Sequence, residues 1–407
     1  MTRALPASHE RAGAGLRPSE PSTATRGPLR VCFLIDRLDT AGTETQLLAL
    51  IRNLNPSRFI AYLVLLDGED ESSRALEPAG CPVLRLGVRK QLSFKSMAKL
   101  LEFRRFLMCE HIRLVQAYFP DSTYFGTVAA RLAGVKTIVR TRNNINHWMT
   151  PLHRRLGRLL NRFVTVTVCN SQAAREAVLA DERPNPTSVL VIENGVDWER
   201  FADIAPVSPA PDPRRQRRVG MVANLRPVKG VDVLIHAAAL VALSFPDVEF
   251  RVAGEGPQRP ELERLIAERG LEGRFRLEGK VTDIPSFLAA LDIAVLSSRA
   301  EGMPNAVLEY MAAGRPIVAT AVGGTPGLVE DRINARIVRP DDPRMLADCL
   351  LDLLHDPQEA SRLGQAARLR ARERYARLAS VGRFERLYQD LLQPDKEGSV
   401  AGPTLDS

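Results

Sequence analysis

Apolar and polar positions fall into a repeating block pattern. Short apolar runs at 29–35, 61–66, 83–86, 112–116, 137–141, 164–168 and 189–192 are separated by stretches with apolar residues three and four apart. The short runs read as strands and the longer stretches as helices. The runs that are apolar throughout, such as 189–192, 293–296 and 317–319, fit parallel strands covered on both faces. The same rhythm resumes at 219–223, 248–252, 275–277, 293–296, 317–319 and 335–338. It ends in three helical stretches, 343–354, 360–374 and 378–392. The pattern predicts an α/β chain with two parallel sheets. No apolar run reaches the roughly 18 residues of a membrane-spanning helix.

The rhythm breaks once. Pro206, Pro209, Pro211 and Pro213 are followed by Arg214, Arg215, Arg217 and Arg218, which reads as a linker over 204–217. It separates a first domain, 29–203, from a second, 218–376. The last helix, 377–392, is expected to cross back onto the first domain. Residues 1–28 and 394–407 carry no periodicity and are expected to be a disordered leader and tail. A chain of 407 residues suits two domains of ordinary size.

Charge sharpens the picture. Lys and Arg outnumber Asp and Glu by 56 to 48 overall, but between Arg89 and Arg162 the count is fifteen to three. The excess therefore sits in the first domain and points to phosphate-rich partners. Aromatic residues fall among these cations only at scattered positions such as Phe103 and Phe106, without a repeating basic-aromatic pattern, so nucleic acid is not expected. Within the patch, Leu152, Leu156, Leu159, Leu160 and Phe163 recur at helical spacing among Arg154, Arg155, Arg158 and Arg162. Two readings stay open: a helix whose apolar side enters the core, or a basic amphipathic helix on an anionic membrane. The five cysteines are scattered without a C-x-x-C pair and read as buried thiols in a reducing compartment.

The candidate chemistry centres on Ser297-Ser298-Arg299-Ala300-Glu301-Gly302-Met303-Pro304-Asn305-Ala306-Val307-Leu308-Glu309. An apolar strand precedes this stretch, and Pro304 is expected to open a helix as its first residue. Strand, loop and helix start together aim free N–H groups at an anion. Glu309 then lies about 7–8 Å along the helix, at roughly 1.5 Å per residue. A second strand-to-helix loop, Asn224-Leu225-Arg226-Pro227-Val228-Lys229-Gly230, adds two cations suited to a diphosphate. At the start of the chain, Asp36 to Glu44 forms a small-residue loop between the first strand and helix.

These motifs resemble the GT-B glycosyltransferases, specifically the retaining group 1, or family 4, enzymes. The resemblance runs over about 29–392. It rests on E-G-x-P-x-x-x-x-E, on Met311-Ala312-Ala313-Gly314-Arg315-Pro316-Ile317-Val318-Ala319-Thr320, on Asn194-Gly195-Val196-Asp197, and on the Lys229 loop. The Ala41-Gly42-Thr43-Glu44 segment is similar to the family's G-G-x-E loop, with Ala41 in place of the first glycine. The resemblance implies two Rossmann-like domains facing across a cleft, the first for the acceptor and the second for a nucleotide-sugar donor.

It also implies roles. Glu309 would accept hydrogen bonds from two ribose hydroxyls. Backbone groups of Gly302, Met303, Asn305 and Ala306 would meet sugar and phosphate, and Glu301 would orient a sugar hydroxyl. Lys229 and Arg226 would stabilise the leaving diphosphate; Asn224 stands where the family usually has the arginine. Val281 would offer main-chain contacts to the base, and Gly42 would lie near the transferring group. Asn143 occupies the place of a family histidine, with His147 as a substitute, and Gly323-Gly324 would let sugar or acceptor approach closely. The implied reaction moves a hexosyl or related sugar from a nucleotide sugar to an acceptor hydroxyl, with retention and with neither metal nor cofactor. The expected setting is cytoplasmic, at the inner face of the plasma membrane, in bacterial polysaccharide or glycolipid assembly. The partners would be a sugar or lipid-linked acceptor and an anionic membrane surface. Rival readings are a nucleotide-sugar 2-epimerase and a non-catalytic scaffold of the same fold.

Overall fold

The computed structural model describes residues 27–67, 71–88, 94–143, 145, 149–210 and 214–393. The tail expected at 394–407, most of the leader expected at 1–28, and His147 lie outside them.

The first lobe runs β1 (Leu29–Ile35), α1 (Gly42–Asn53), β2 (Phe59–Leu65), α2 (Glu71–Arg74), β3 (Val83–Arg85), α3 (Phe94–Cys109) and β4 (Leu114–Ala117). It continues through α4 (Pro120–Leu132), β5 (Thr137–Arg142), α5 (Pro151–Leu160), β6 (Val166–Cys169), α6 (Gln172–Glu182) and β7 (Val189–Val191). Its strands are parallel, in the order β3-β2-β1-β4-β5-β6-β7.

The second lobe runs β8 (Arg218–Val222), α7 (Val231–Val241), β9 (Glu249–Ala253), α8 (Arg259–Glu268), β10 (Phe275–Gly279), α9 (Ile284–Ala289) and β11 (Ile293–Leu296). Then come α10 (Asn305–Ala312), β12 (Ile317–Thr320), α11 (Thr325–Leu328), β13 (Arg336–Val338), α12 (Pro343–His355), α13 (Pro357–Arg374) and α14 (Arg377–Leu392). Its sheet is also parallel, ordered β10-β9-β8-β11-β12-β13. Each sheet reverses its winding direction once, between β1 and β4 and between β8 and β11. Crevices at the carboxyl ends of such strand pairs are where open α/β sheets bind ligands.

Each sheet is sandwiched. Val31 and Phe33 face α1 and α14 on one side of β1, while Cys32 and Leu34 face α3 and α4 on the other. α14 returns to the first lobe and seats Tyr388 in its core, 6.3 Å from Phe33 and 6.0 Å from Phe59 between ring centres. The Tyr388 hydroxyl donates to Gln116 Oε1.

A buried ion network ties the far side of the first sheet together. Arg140 and Arg142, two apart and so on one face of β5, both reach Glu182 at the end of α6. All three are buried. A Cβ on Gly157 of α5 would lie 2.5 Å from Glu182 Oε2, so this position leaves room for the carboxylate.

Two expectations change. Of the five apolar residues at α5, Leu160 is buried and Leu156 half-buried, while Leu152, Leu159 and Phe163 are exposed. At 3.6 residues per turn, 152, 159 and 163 make one stripe and 156 and 160 the next, and only the second turns inward. Of the cysteines, Cys32, Cys169 and Cys349 are buried, but Cys81 is half-buried and Cys109, at the end of α3, is exposed.

Candidate active site at the interlobe cleft

The site grows out of β11, whose four residues are all buried. The chain leaves the strand at Ser297, whose hydroxyl donates to the Gly230 carbonyl at 2.8 Å. Gly230 has φ +62°, and a Cβ there would sit 2.1 Å from the Ser297 carbonyl oxygen. Only glycine lets the two loops meet this way. The contact fixes the residue before it, and Lys229 Nζ donates to Glu301 Oε1 at 2.7 Å. Ser298 Oγ donates to the same oxygen, also at 2.7 Å. Arg299 braces the loop from behind through two hydrogen bonds to Asp232, of 3.0 and 2.6 Å.

The Glu301-Gly302 turn is closed by Gly323 and Gly324. Gly324 N donates to the Gly302 carbonyl at 2.8 Å. A Cβ on Gly323 would fall 1.6 Å from the Glu301 carbonyl oxygen. The close approach that these two glycines permit is therefore to the backbone of the Glu301-Gly302 turn itself. Among the described residues, no backbone hydrogen bond engages the N–H groups of Gly302, Met303, Asn305 or Ala306. Pro304 stands at the N-cap with φ −74° and ψ 110°, and the helix begins at Asn305. The proline thus sits one residue earlier than its usual first-turn place, and its extended ψ turns the chain into the helix.

Asn305 bridges the lobes. Its Nδ2 donates to the Gly42 carbonyl at 3.0 Å, and its Oδ1 accepts from Asn194 Nδ2 at 2.8 Å and Gln46 Nε2 at 3.2 Å. A Cβ on Gly42 would lie 2.7 Å from Asn305 Nδ2. Met303 adds a second crossing, its Sδ accepting from Asn194 N at 3.2 Å. Asn143 stands at the first-lobe wall, where its Nδ2 donates to Thr43 Oγ1 at 3.3 Å. Behind it lies a cavity of about 30 Å³, lined by Gln46, Asn143, Asn194 and Arg377 together with the apolar side chains of Leu50, Val168, Ile192 and Phe384.

Two carboxylates here are displaced from their ordinary acidity. Glu309, one turn into α10, is half-buried. The protein packed around it raises its pKa to about 7, opposed by Arg200 and Arg377. Glu44, in the first turn of α1, is buried, and its Oε2 has no hydrogen-bond partner among the described residues. Burial raises it to about 7 as well, against its own backbone N–H.

Lys229, Glu301, Gly302, Met303, Asn305 and Ala306 thus converge, with Gly42 and Asn143 facing them from the first lobe. Arg226 and Asn224 are exposed on the rim, and no hydrogen bond draws either side chain onto the Lys229–Glu301 pair. Val281 packs on the apolar cluster that holds Met303 and Val307. Gln46, Arg200 and Arg377 are neighbours that the motifs did not mark, and Ser298 lay in the central stretch without an assigned role. Asn194 lay inside a recognised segment, but nothing in sequence showed that it reaches Asn305.

The sequence matches the family described as glycosyl transferases group 1 over residues 216–356, and the glycosyl transferase 4-like domain over 41–195. The chain belongs to this glycosyltransferase family. The group 1 match contains the Lys229 loop and the Glu301–Glu309 turn; the 4-like match contains Gly42 and Asn143. Over 172 residues the chain is 34% identical to the alpha-D-kanosaminyltransferase of Streptomyces kanamyceticus, covering 42% of this chain but only 45% of that protein. It is 27% identical to the UDP-Gal:alpha-D-GlcNAc-diphosphoundecaprenol alpha-1,3-galactosyltransferase of Escherichia coli, covering 72% and 78%. Among solved structures, Anabaena HepE in complex with UDP-glucose superposes with a TM-score of 0.77 at 23% identity, covering 89% of this chain and 99% of that one. The fold of this glycosyltransferase is GT-B.

Proposed function

We propose that this glycosyltransferase moves a hexosyl or related sugar from a nucleotide-sugar donor to an acceptor hydroxyl, with retention of configuration. The observation that carries the reading is the pairing of four uncommitted N–H groups at the start of α10 with Lys229, 2.7 Å from Glu301. Negative charge grows on a departing diphosphate, and preorganised donors aimed at it lower the barrier. Lys229 supplies a full positive charge and the helix start a partial one. Arg226, on the rim, joins them when the donor's phosphates draw it in.

Glu301, already held by Lys229 and Ser298, is placed to orient a sugar hydroxyl, and Glu309 accepts from the ribose. Val281 lines the base pocket, with Asn224 at its entrance. Gly42 leaves space at the transfer point, and Asn143 hydrogen-bonds a sugar hydroxyl, since its carboxamide cannot take a proton as a base. The reading needs no metal, because the cations and the helix start answer the diphosphate's charge. The structural neighbour solved with UDP-glucose and the relative named for a diphosphoundecaprenol acceptor support a nucleotide-sugar donor and a lipid-linked acceptor in bacterial glycan assembly.

The test is nucleotide diphosphate release from a panel of nucleotide sugars in the presence of EDTA. One donor should turn over, and Lys229→Ala and Glu309→Ala should each lose about a hundredfold or more in kcat/KM. The anomeric signal of the product, followed by NMR, should show the donor's configuration. No binding of any donor, or full activity in Lys229→Ala, would remove the reading.

A further inference from the structure

We propose that the outer helical layer of the first lobe docks on an anionic lipid bilayer. Eight of the thirteen large apolar side chains exposed among the described residues belong to α3, α4, α5 and the turn after α5. They include Met97 and Leu101 of α3, Leu132 of α4, and Leu152, Leu159 and Phe163 at α5. Right-handed crossovers place all three helices on the same side of the sheet, away from α1 and α14. The helices are stitched into one surface: Arg104 Nε donates to the Leu132 carbonyl at 2.9 Å, and Arg131 donates to the Phe163 carbonyl at 2.7 Å while stacking over its ring. Soluble monomers seldom leave so many large apolar groups together without a partner.

Charge selects the partner. Arg105, Arg131, Lys136, Arg155 and Arg162 are exposed around the apolar residues. Among the described residues no ion pair engages any of these five, whereas Arg154 is committed to Asp181 and Lys99 to Glu102. Apolar side chains ringed by cations outside any ion pair match the interface of an acidic bilayer, where acyl chains take the first and headgroup phosphates the second. A protein partner with an apolar patch would leave these cations unanswered. The surface deepens the proposed transfer reaction by holding the first lobe where a lipid-linked acceptor resides, yet it needs no donor to act.

The experiment is flotation of the purified chain, without donor, with vesicles of phosphatidylglycerol and phosphatidylcholine in equal parts, and with phosphatidylcholine alone. Binding to the acidic vesicles, weakened by high salt and absent on the neutral ones, is expected. Arg105→Glu/Arg155→Glu/Arg162→Glu should lower the partition by about tenfold or more, and so should Leu101→Ser/Leu132→Ser/Leu152→Ser/Phe163→Ser. Leu243→Ser, which changes an exposed leucine of the second lobe, should float like the parent. Circular dichroism and nucleotide diphosphate binding on the same samples show that the lobes remain folded and the donor site intact. No flotation with acidic vesicles overturns the proposal. So does flotation unchanged in both multiple variants, or a parent that sediments as a dimer while the apolar variant is a monomer. Loss of flotation with donor binding intact, or the reverse, separates this surface from the catalytic reading.

Discussion

Single residues of the cleft act through where their protons and methylene groups fall. Glu309 has its pKa raised to about 7 by the protein around it. A carboxylate with a raised native pKa binds its proton more tightly folded than unfolded, so the stability it lends is present at low pH and is lost as pH rises through about 7. Glu309→Gln removes that loss. Its thermal midpoint should exceed the parent's at pH 8 and approach it at pH 5, while its affinity for nucleoside diphosphate falls, as read by calorimetry. A parent and variant with parallel stability profiles would contradict the shift. Gly42→Ala should have the opposite character. The added methyl, 2.7 Å from Asn305 Nδ2, must push the bridge apart, so kcat should fall by about tenfold while the circular dichroism spectrum stays unchanged. At this scale the sequence was informative where the chemistry is local. Glu301, Lys229 and Glu309 stood in motifs whose strand-loop-helix setting could be read from the apolar pattern, while the roles expected of them came from the family resemblance. Gln46 could not be found that way, because its role depends on Asn305, 259 positions distant.

Elements were the most legible level. The apolar-rich runs located the thirteen strands found among the described residues; those apolar throughout, such as β7 and β11, leave no polar position to confuse them. Helix α5 shows the limit: periodicity gave its apolar residues but not which stripe turns inward. That choice is made by α6 and β5, through Glu182 and the glycine at 157. The network there can be tested directly. Glu182→Ala leaves Arg140 and Arg142 buried without a counter-ion and should cost about 3–5 kcal/mol in urea unfolding, far more than a surface pair. Replacing Arg154, whose partner Asp181 is on the surface side of the same helix pair, should cost under about 1 kcal/mol. Equal costs would mean that the buried triad has no special weight.

The whole molecule is two sheets joined by a short linker and a returning helix, and its site belongs to neither alone. α14 leaves the second lobe yet ends with Tyr388 in the first lobe's core, so the two halves share hydrophobic packing as well as chain. The carboxamide of Asn305 holds three groups of the opposite lobe at once. Any rotation that separates the lobes must break all of these bonds together, which makes separation a cooperative event with its own equilibrium constant. Ligands that span the gap then shift that constant by the ratio of their affinities for the two arrangements. By linkage, a weakened bridge alters how strongly donor and acceptor sense each other, even where neither touches the altered residue. Opening the cleft therefore exchanges the Asn305 bridge, together with the Met303–Asn194 contact, for water.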